Sequence, residues 1–222
     1  VELSLNDLKL RLKNIRKILI NEHQSLFLDQ LDDLILKVEI FGYHFATLDI
    51  RQDSRIHSYV FNKIIKKIKP TEFNNYTRSK YIEKSKFLSS IHGDFKPSFF
   101  SDELVSSTLG SIRAMQKIQK SNGESGCHRY IISNNQTAIN ILEVFTMFKI
   151  SGWKKNTFDI IPLFETISDL DIAVDVMDKI YSNDSYREHL SYRNNEQTIM
   201  LGFSDGTKDG GYLTANWKIL TA

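Results

Sequence analysis

From Leu3 to about Phe41 the apolar residues recur at intervals of three and four: Leu8, Leu12, Ile15, Ile18 and Leu19, then Leu26, Leu28, Leu31, Leu34, Ile35 and Val38. That period predicts two amphipathic helices with a joint near residues 21–24 and a stop at Gly42, a residue suited to capping a helix C-terminus. After Gly42 the period changes. "YHFATLDI" is short and rich in strand formers, so it predicts a strand. "DSRIHSYVFNKIIKKI" returns to helical spacing, with Ser54 as the expected N-cap and Pro70 as the stop. Residues 71–97 are polar and punctuated, and one helix is predicted in "RSKYIEKSKFLSSI".

The second half is more regular. "SDELVSSTLGSIRAMQKIQ" predicts a long amphipathic helix capped by Ser101, with Glu103 in its first turn. "CHRYIIS" predicts a strand, Thr137 opens the helix "AINILEVFTMFKI", and Gly152 ends it. "TFDIIPLF" is the next strand, "SDLDIAVDVMDKIY" the next helix, "TIMLGF" a fourth strand, and a helix resumes at Tyr212. A strand followed by a helix four times over predicts parallel strands joined by helical crossovers, an α/β fold. An open sheet and a closed barrel share that alternation. The barrel is favoured because polar side chains follow each strand: Arg51, Gln52 and Asp53, then Ser133 and Asn134, then Glu165 and Thr166, then Asp205, Lys208 and Asp209. The expectation is about four strands of an elaborated (β/α)8 barrel in a single domain over residues 1–222, with residues 1–41 a helical lead-in and 42–222 the βα units.

Bulk properties narrow the classes. The 222 residues are 41% hydrophobic and 25% charged, enough to bury a sizeable core. A formal net charge of +2, with Lys and Arg scattered, argues against a nucleic-acid partner. The most basic run, "KIIKKIK", carries isoleucines at helical spacing and reads as a solvated helix face. One cysteine, Cys127, excludes an internal disulfide and fits a reducing compartment; it reads as a buried, inert thiol. No apolar run is long enough to span a membrane and no signal peptide is visible, so the cytoplasm is expected. The start at Val1 and the stop inside a helical pattern predict a piece of something longer.

The candidate chemistry is carried by charged residues at strand ends. Glu165 directly follows "IIPLF" and Asp205 follows "IMLGF" by one residue. Neighbouring strands lie about 4.8 Å apart, close enough for two such carboxylates to share one ion. Two carboxylates with the remaining positions left to water and substrate suit Mg²⁺ or Mn²⁺. Each acid taken alone reads as a helix cap; their matched placement favours a metal. Arg51 and Lys208 supply the opposite sign, as an anionic substrate beside such a metal requires. The glycines of "GTKDGG" read as a loop whose amides can approach a phosphate, although the spacing is neither a Walker loop nor GxGxxG. His44 and His128 are expected in strands and His57 on a helix, and no histidine is assigned to catalysis.

"TLDIRQDS" (Thr47 to Ser54), "PLFETISDL" (Pro162 to Leu170) and "MLGFSDGTKDGG" (Met200 to Gly211), in this order, resemble the middle of a phosphoenolpyruvate carboxylase. The likeness runs from about Gly42 to the C-terminus and includes "YIISNNQTAINILEVF". It implies a (β/α)8 barrel elaborated with helices, in an enzyme that joins phosphoenolpyruvate and bicarbonate, with Mg²⁺ or Mn²⁺, to give oxaloacetate and phosphate. It further implies a lyase of carbon dioxide fixation that replenishes the tricarboxylic acid cycle, and a homo-oligomer, by resemblance a tetramer. By the same resemblance Glu165 and Asp205 ligate the metal, while Arg51 and Lys208 hold phosphate or bicarbonate and serve the catalytic step.

The family's His-Pro motif, its Gly-Arg-Gly-Gly loop and its C-terminal regulatory region have no counterpart here. Gly206 and Gly210 stand where many members carry serine and alanine. About half of an eight-stranded barrel would leave unpaired sheet edges. The chain alone is therefore expected to be inactive, and to self-associate through those edges or shield them with its extra helices. The alternative is a non-catalytic, barrel-derived scaffold or binding domain. A third reading is another metal-dependent barrel lyase acting on an enolisable acid.

Overall fold

The computed structural model describes residues 3–153 and 157–222. They pack as two compact units: residues 3–48 with 118–127, and residues 49–117 with the described part of 128–222. The helical lead-in belongs to the smaller unit.

In that unit, α1 (Leu5–Glu22) and α2 (Leu28–Phe41) form the two helices expected from the apolar period. Ser4 caps α1 by accepting the Asp7 N–H, and Gly42 closes α2 at a positive φ of 51°. Arg16 holds Asp32 through two bonds of 2.7 and 3.1 Å, tying α1 to α2. The strand expected over "YHFATLDI" is shorter than its apolar content suggests. Residues 43–48 are turns: Phe45 adopts φ 61°, donates its N–H to Phe41 O and stacks on the Phe41 ring at 5.0 Å. His44 is consequently in a turn, and His128 precedes a strand instead of lying in one.

The larger unit is built on β1 (Asp49–Asp53), β2 (Arg129–Ser133), β3 (Asp159–Phe164) and β4 (Met200–Leu201). All neighbours pair in parallel and the spatial order is β1-β2-β3-β4. This is the four-stranded α/β sheet expected of part of a (β/α)8 barrel. The register sets Arg51 opposite Ile131, and Ile131 opposite Ile161, so the three share one face. Ile131, Ile161 and Leu163 form a buried cluster on that face, with Met200 packed against it. Only Met200 and Leu201 of "TIMLGF" pair, and Ile199, Leu201 and Phe203 are exposed along this stretch.

The helices around the sheet are α3 (Ser54–Ile68), α4 (Phe73–Arg78), α5 (Tyr81–Ser90), α6 (Glu103–Asn122, shared with the smaller unit), α7 (Ala138–Ile150), α8 (Ile167–Tyr181), α9 (Asp184–Ser191), α10 (Phe203–Gly210) and α11 (Tyr212–Thr221). The one helix expected over residues 78–91 is α5, and the stretch before it, expected as loop, holds the short helix α4, set apart from α5 by Ser79 in extended geometry. Two caps shift by one residue. Asp53, not Ser54, caps α3 by accepting the Arg55 N–H, and Asp102, not Ser101, accepts from Leu104 and Val105 at the start of α6. In both cases a carboxylate displaces a neighbouring hydroxyl, as expected where it also complements the helix dipole. Thr137 caps α7 as expected, in a reciprocal capping box with Asn140.

Helix α7 is the centre of the unit. Ten of its thirteen residues are buried, among them Phe145 and Phe148. The Phe148 and Phe158 rings stack at 4.1 Å, and His189 of α9 stacks on Phe158 at 4.7 Å. His57 of α3 is equally enclosed, with Nε2 2.9 Å from the Tyr130 hydroxyl. Burial pushes His57 down to about 4, against the opposing pull of Asp53, and pushes His189 down to about 3 with help from Arg193.

Both imidazoles therefore stay neutral in the folded chain at pH values where the unfolded chain already binds their protons. Stability is fully present above an unfolded imidazole value of about 6.5 and is lost as pH falls towards the folded values. The urea midpoint is expected to decline steadily between about pH 6.5 and pH 4; a midpoint constant across that window would contradict the buried-imidazole account.

Candidate functional site

Glu165 is the first residue past β3, whose six residues are all buried, so it emerges from a rigid strand with only a fifth of its side chain exposed. Its Oε1 accepts the N–H of Asn134 at 2.9 Å, and its Oε2 lies 3.4 Å from Nη2 of Arg51. Arg51 reaches Glu165 from β1, across the intervening β2. The pair is long and the guanidinium half-exposed, which makes it worth little to stability and leaves both groups available to a ligand.

The Asn134 N–H is aimed by backbone geometry. Asn134 sits at φ 53°, in the left-handed region that asparagine tolerates better than most side chains. Its carbonyl accepts the Ser54 hydroxyl at 2.5 Å, so the first residue of α3 clamps the turn whose other side grips Glu165. The adjacent Asn135 carboxamide is fully buried, and neither its oxygen nor its nitrogen finds a partner among the described residues. A buried amide without partners is costly and marks a place for a ligand or water. The double asparagine in "ISNNQ" was the available sequence signal for these two residues.

Asp205 lies in the first turn of α10 and accepts from Lys208 Nζ at 3.2 Å. Sequence reasoning treats "SDGTKDGG" as an open loop; it is a helix up to Gly210. Asp205 in the first turn and Lys208 in the last complement its dipole, and Gly206 is buried against Ala215. The amides of residues 207–210 are thereby spent within the helix, so the expected amide cradle for phosphate is not formed by them. Asp209 is a fastener: its Oδ2 accepts the Ile167 N–H at 2.9 Å, joining the end of α10 to the start of α8.

The structure thus brings Arg51 to Glu165 and Lys208 to Asp205. No hydrogen bond or ion pair joins the two pairs among the described residues, and no group of three or more His, Cys, Asp or Glu there is arranged to hold a metal. Backbone packing sets the two strand ends side by side. Gly202 donates its N–H to Phe164 O at 2.8 Å, and a Cβ on Gly202 would stand 2.7 Å from Glu165 Cβ. The donors available are carboxylate oxygens, each paired with a cation: Glu165 with the Arg51 guanidinium and Asp205 with the Lys208 ammonium. That chemistry fits a hard divalent cation that keeps water or substrate in its shell.

The phosphoenolpyruvate carboxylase family model matches residues 3–222. The chain is 35% identical over 229 residues to phosphoenolpyruvate carboxylase of Nitrosomonas europaea, covering 98% of this chain and 24% of that protein. It is 36% identical over 212 residues to that of Nitrosomonas eutropha (90% and 23%) and 32% identical over 202 residues to that of Gloeobacter violaceus (86% and 21%). The chain spans about a quarter of the length of the curated relatives it matches.

The two glycines of this region should respond differently to alanine. Gly202→Ala forces a methyl into the Glu165 backbone, whose Cα would lie 2.8 Å away, and is expected to cost about 1–3 kcal/mol. Gly206→Ala meets nothing nearer than 3.6 Å within a helix and is expected to be neutral or to gain up to about 1 kcal/mol. Ser54→Ala strips the Asn134 carbonyl of its donor, at about 1 kcal/mol. Urea denaturation ranks the three, and equal effects at Gly202 and Gly206 would refute the packing described.

Proposed function

The chain belongs to the phosphoenolpyruvate carboxylase family, and from that premise we propose that it is the segment holding the divalent metal and the anionic substrates in a protein that converts phosphoenolpyruvate and bicarbonate to oxaloacetate and phosphate. The observation that carries the proposal is Glu165: a carboxylate at the end of a wholly buried strand, oriented by the Asn134 N–H and faced by Arg51.

In this reading Glu165 and Asp205 are the metal's protein ligands, and Arg51 and Lys208 exchange their present carboxylate partners for substrate oxygens. Mg²⁺ or Mn²⁺ bound there would supply positive charge beside the enolate oxygen. Phosphoryl transfer from phosphoenolpyruvate to a bicarbonate oxygen leaves carboxyphosphate and the enolate of pyruvate. Carboxyphosphate then releases phosphate and CO2, and the enolate carbon takes up the CO2. Arg51, a forked donor, suits the phosphate or carboxylate of the substrate, and Lys208, a point charge, the phosphate as it departs. The groups act by fixing oxygens and charge in place.

The short β4, with Leu201 exposed on it and Ile199 and Phe203 exposed beside it, supports a further part of the proposal. The sheet edges pair with additional strands of a longer, cytoplasmic, oligomeric enzyme, and the 222-residue chain alone is inactive and self-associates. No helix among the described residues is long and apolar enough to cross a membrane.

The test is to extend the chain at both ends to the length of its relatives and measure bicarbonate-dependent oxaloacetate formation. The extended protein is expected to be active, and Glu165→Gln or Asp205→Asn to lower metal-dependent turnover by about 100-fold or more. Full activity in both variants removes the site, and an inactive extended protein favours a scaffold. The 222-residue chain is expected to sediment as an oligomer, whereas a compact monomer that binds no hydrophobic dye would contradict the edge proposal.

A further inference from the structure

On the helical side of the larger unit lies a cavity of about 560 Å³, within the usual range of roughly 300–1,000 Å³ for small-molecule sites. Its walls come from α3, α4, α5, α7 and α8, and none of Arg51, Glu165, Asp205 or Lys208 lines it. We propose that this cavity binds a small molecule bearing a phosphate or carboxylate group, with Lys84 as its cationic anchor.

The charges within the cavity point to an anion. Lys179 is held 2.5 Å from Asp175, so that pair is neutral. Glu143, buried on α7, accepts the hydroxyls of Tyr76 at 2.6 Å and Ser58 at 2.8 Å, and burial raises it against the opposing pull of those bonds and of Lys84. Lys84 is the cation without a bonded partner: Glu143 attracts it from beyond ion-pair distance, and its ammonium lies 5.3 Å from the centre of the Tyr76 ring. A half-buried ammonium resting on an aromatic face and walled by low-dielectric side chains attracts an oxyanion more strongly than a solvated surface lysine would.

A second set of donors faces the same space. Ala138 and Ile139 open α7 and line the cavity. The Thr137–Asn140 capping box satisfies the N–H groups of Thr137 and Asn140 but leaves those of Ala138 and Ile139 without an intrahelical acceptor. A helix of thirteen residues adds its positive end to them. Asn62 and Thr77, also on the wall, offer the hydrogen bonds that a hydroxylated carbon skeleton would use. The ligand class is therefore a small hydroxylated phosphate or carboxylate. None of the groups named for the metal site lines this cavity, so its ligand is independent of that site.

The test is lysine footprinting of the full-length protein by brief acetylation and mass spectrometry, with inorganic phosphate and acetate as separate probes and chloride at matched ionic strength as the reference. Phosphate, acetate or both are expected to slow labelling of Lys84 by about threefold or more while exposed Lys86 changes by less than about 1.5-fold. Protection by one probe alone assigns the anion chemistry. Thr77→Glu, which sets a carboxylate at the rim, is expected to abolish the protection, and Arg51→Met to leave it intact. The proposal is overturned if neither probe protects Lys84, if Lys84 and Lys86 are protected alike, or if Arg51→Met removes the protection.

Discussion

The candidate site depends on how closely β4 can approach the end of β3. Glu165 leaves a strand with no exposed residue, and Gly202 sits so near it that a methyl group would overlap both its Cα and its Cβ. Only a glycine allows the Gly202 N–H to bond Phe164 O at this spacing. Everything after Gly202 inherits the position: α10 starts at once, carries Asp205 in its first turn, and is fastened at its far end by Asp209 to the Ile167 N–H. A slip of a few tenths of an ångström at one backbone contact would shift the carboxylate and the helix that faces it together.

Around that contact the larger unit divides its polar groups by cost. Polar groups in the interior are mostly paired: Glu143 with two hydroxyls, His57 with Tyr130, and the Asp169 side chain with the Thr166 N–H in a capping box. Arg51, Asp205 and Lys208 are half-exposed and loosely paired, so a ligand can recruit them without uncovering a buried charge. Asn135 is enclosed with nothing to bond for either its oxygen or its nitrogen among the described residues, and elsewhere in the chain the buried Thr108 and Ser151 hydroxyls also lack a partner. That a carboxamide is left unsatisfied beside the turn that orients Glu165 fits a structure whose polar arrangement is completed by a ligand.

Much of the fold was legible because it follows from period. The helical spacing of α1, α2, α3, α7 and α8 and the apolar runs of β2 and β3 are set by local sequence, and so is the parallel order their alternation requires. The misses share a cause. Apolar residues in 43–48 look like a strand but serve the turn that ends α2, and "TIMLGF" gives two paired residues because only part of it has a neighbour. The "SDGTKDGG" segment looks like a loop by composition, yet its packing on α8 and α11 makes it helical against glycine's preference. At the site, residue types named Arg51, Glu165, Asp205 and Lys208, but not their present pairing. The roles of Ser54, Asn134 and Asp209 depend on contacts between residues 31 or more positions apart, which no local pattern encodes.

Strand order here equals chain order, and each strand docks on the one made just before it. A polypeptide of this kind can fold as it leaves the ribosome, because every newly exposed strand finds a finished template and waits for nothing downstream. The β1 edge has no second neighbour among the described residues, and the polar sequence of β1, "DIRQD", would keep that edge hydrated and discourage neighbouring nascent chains from joining it.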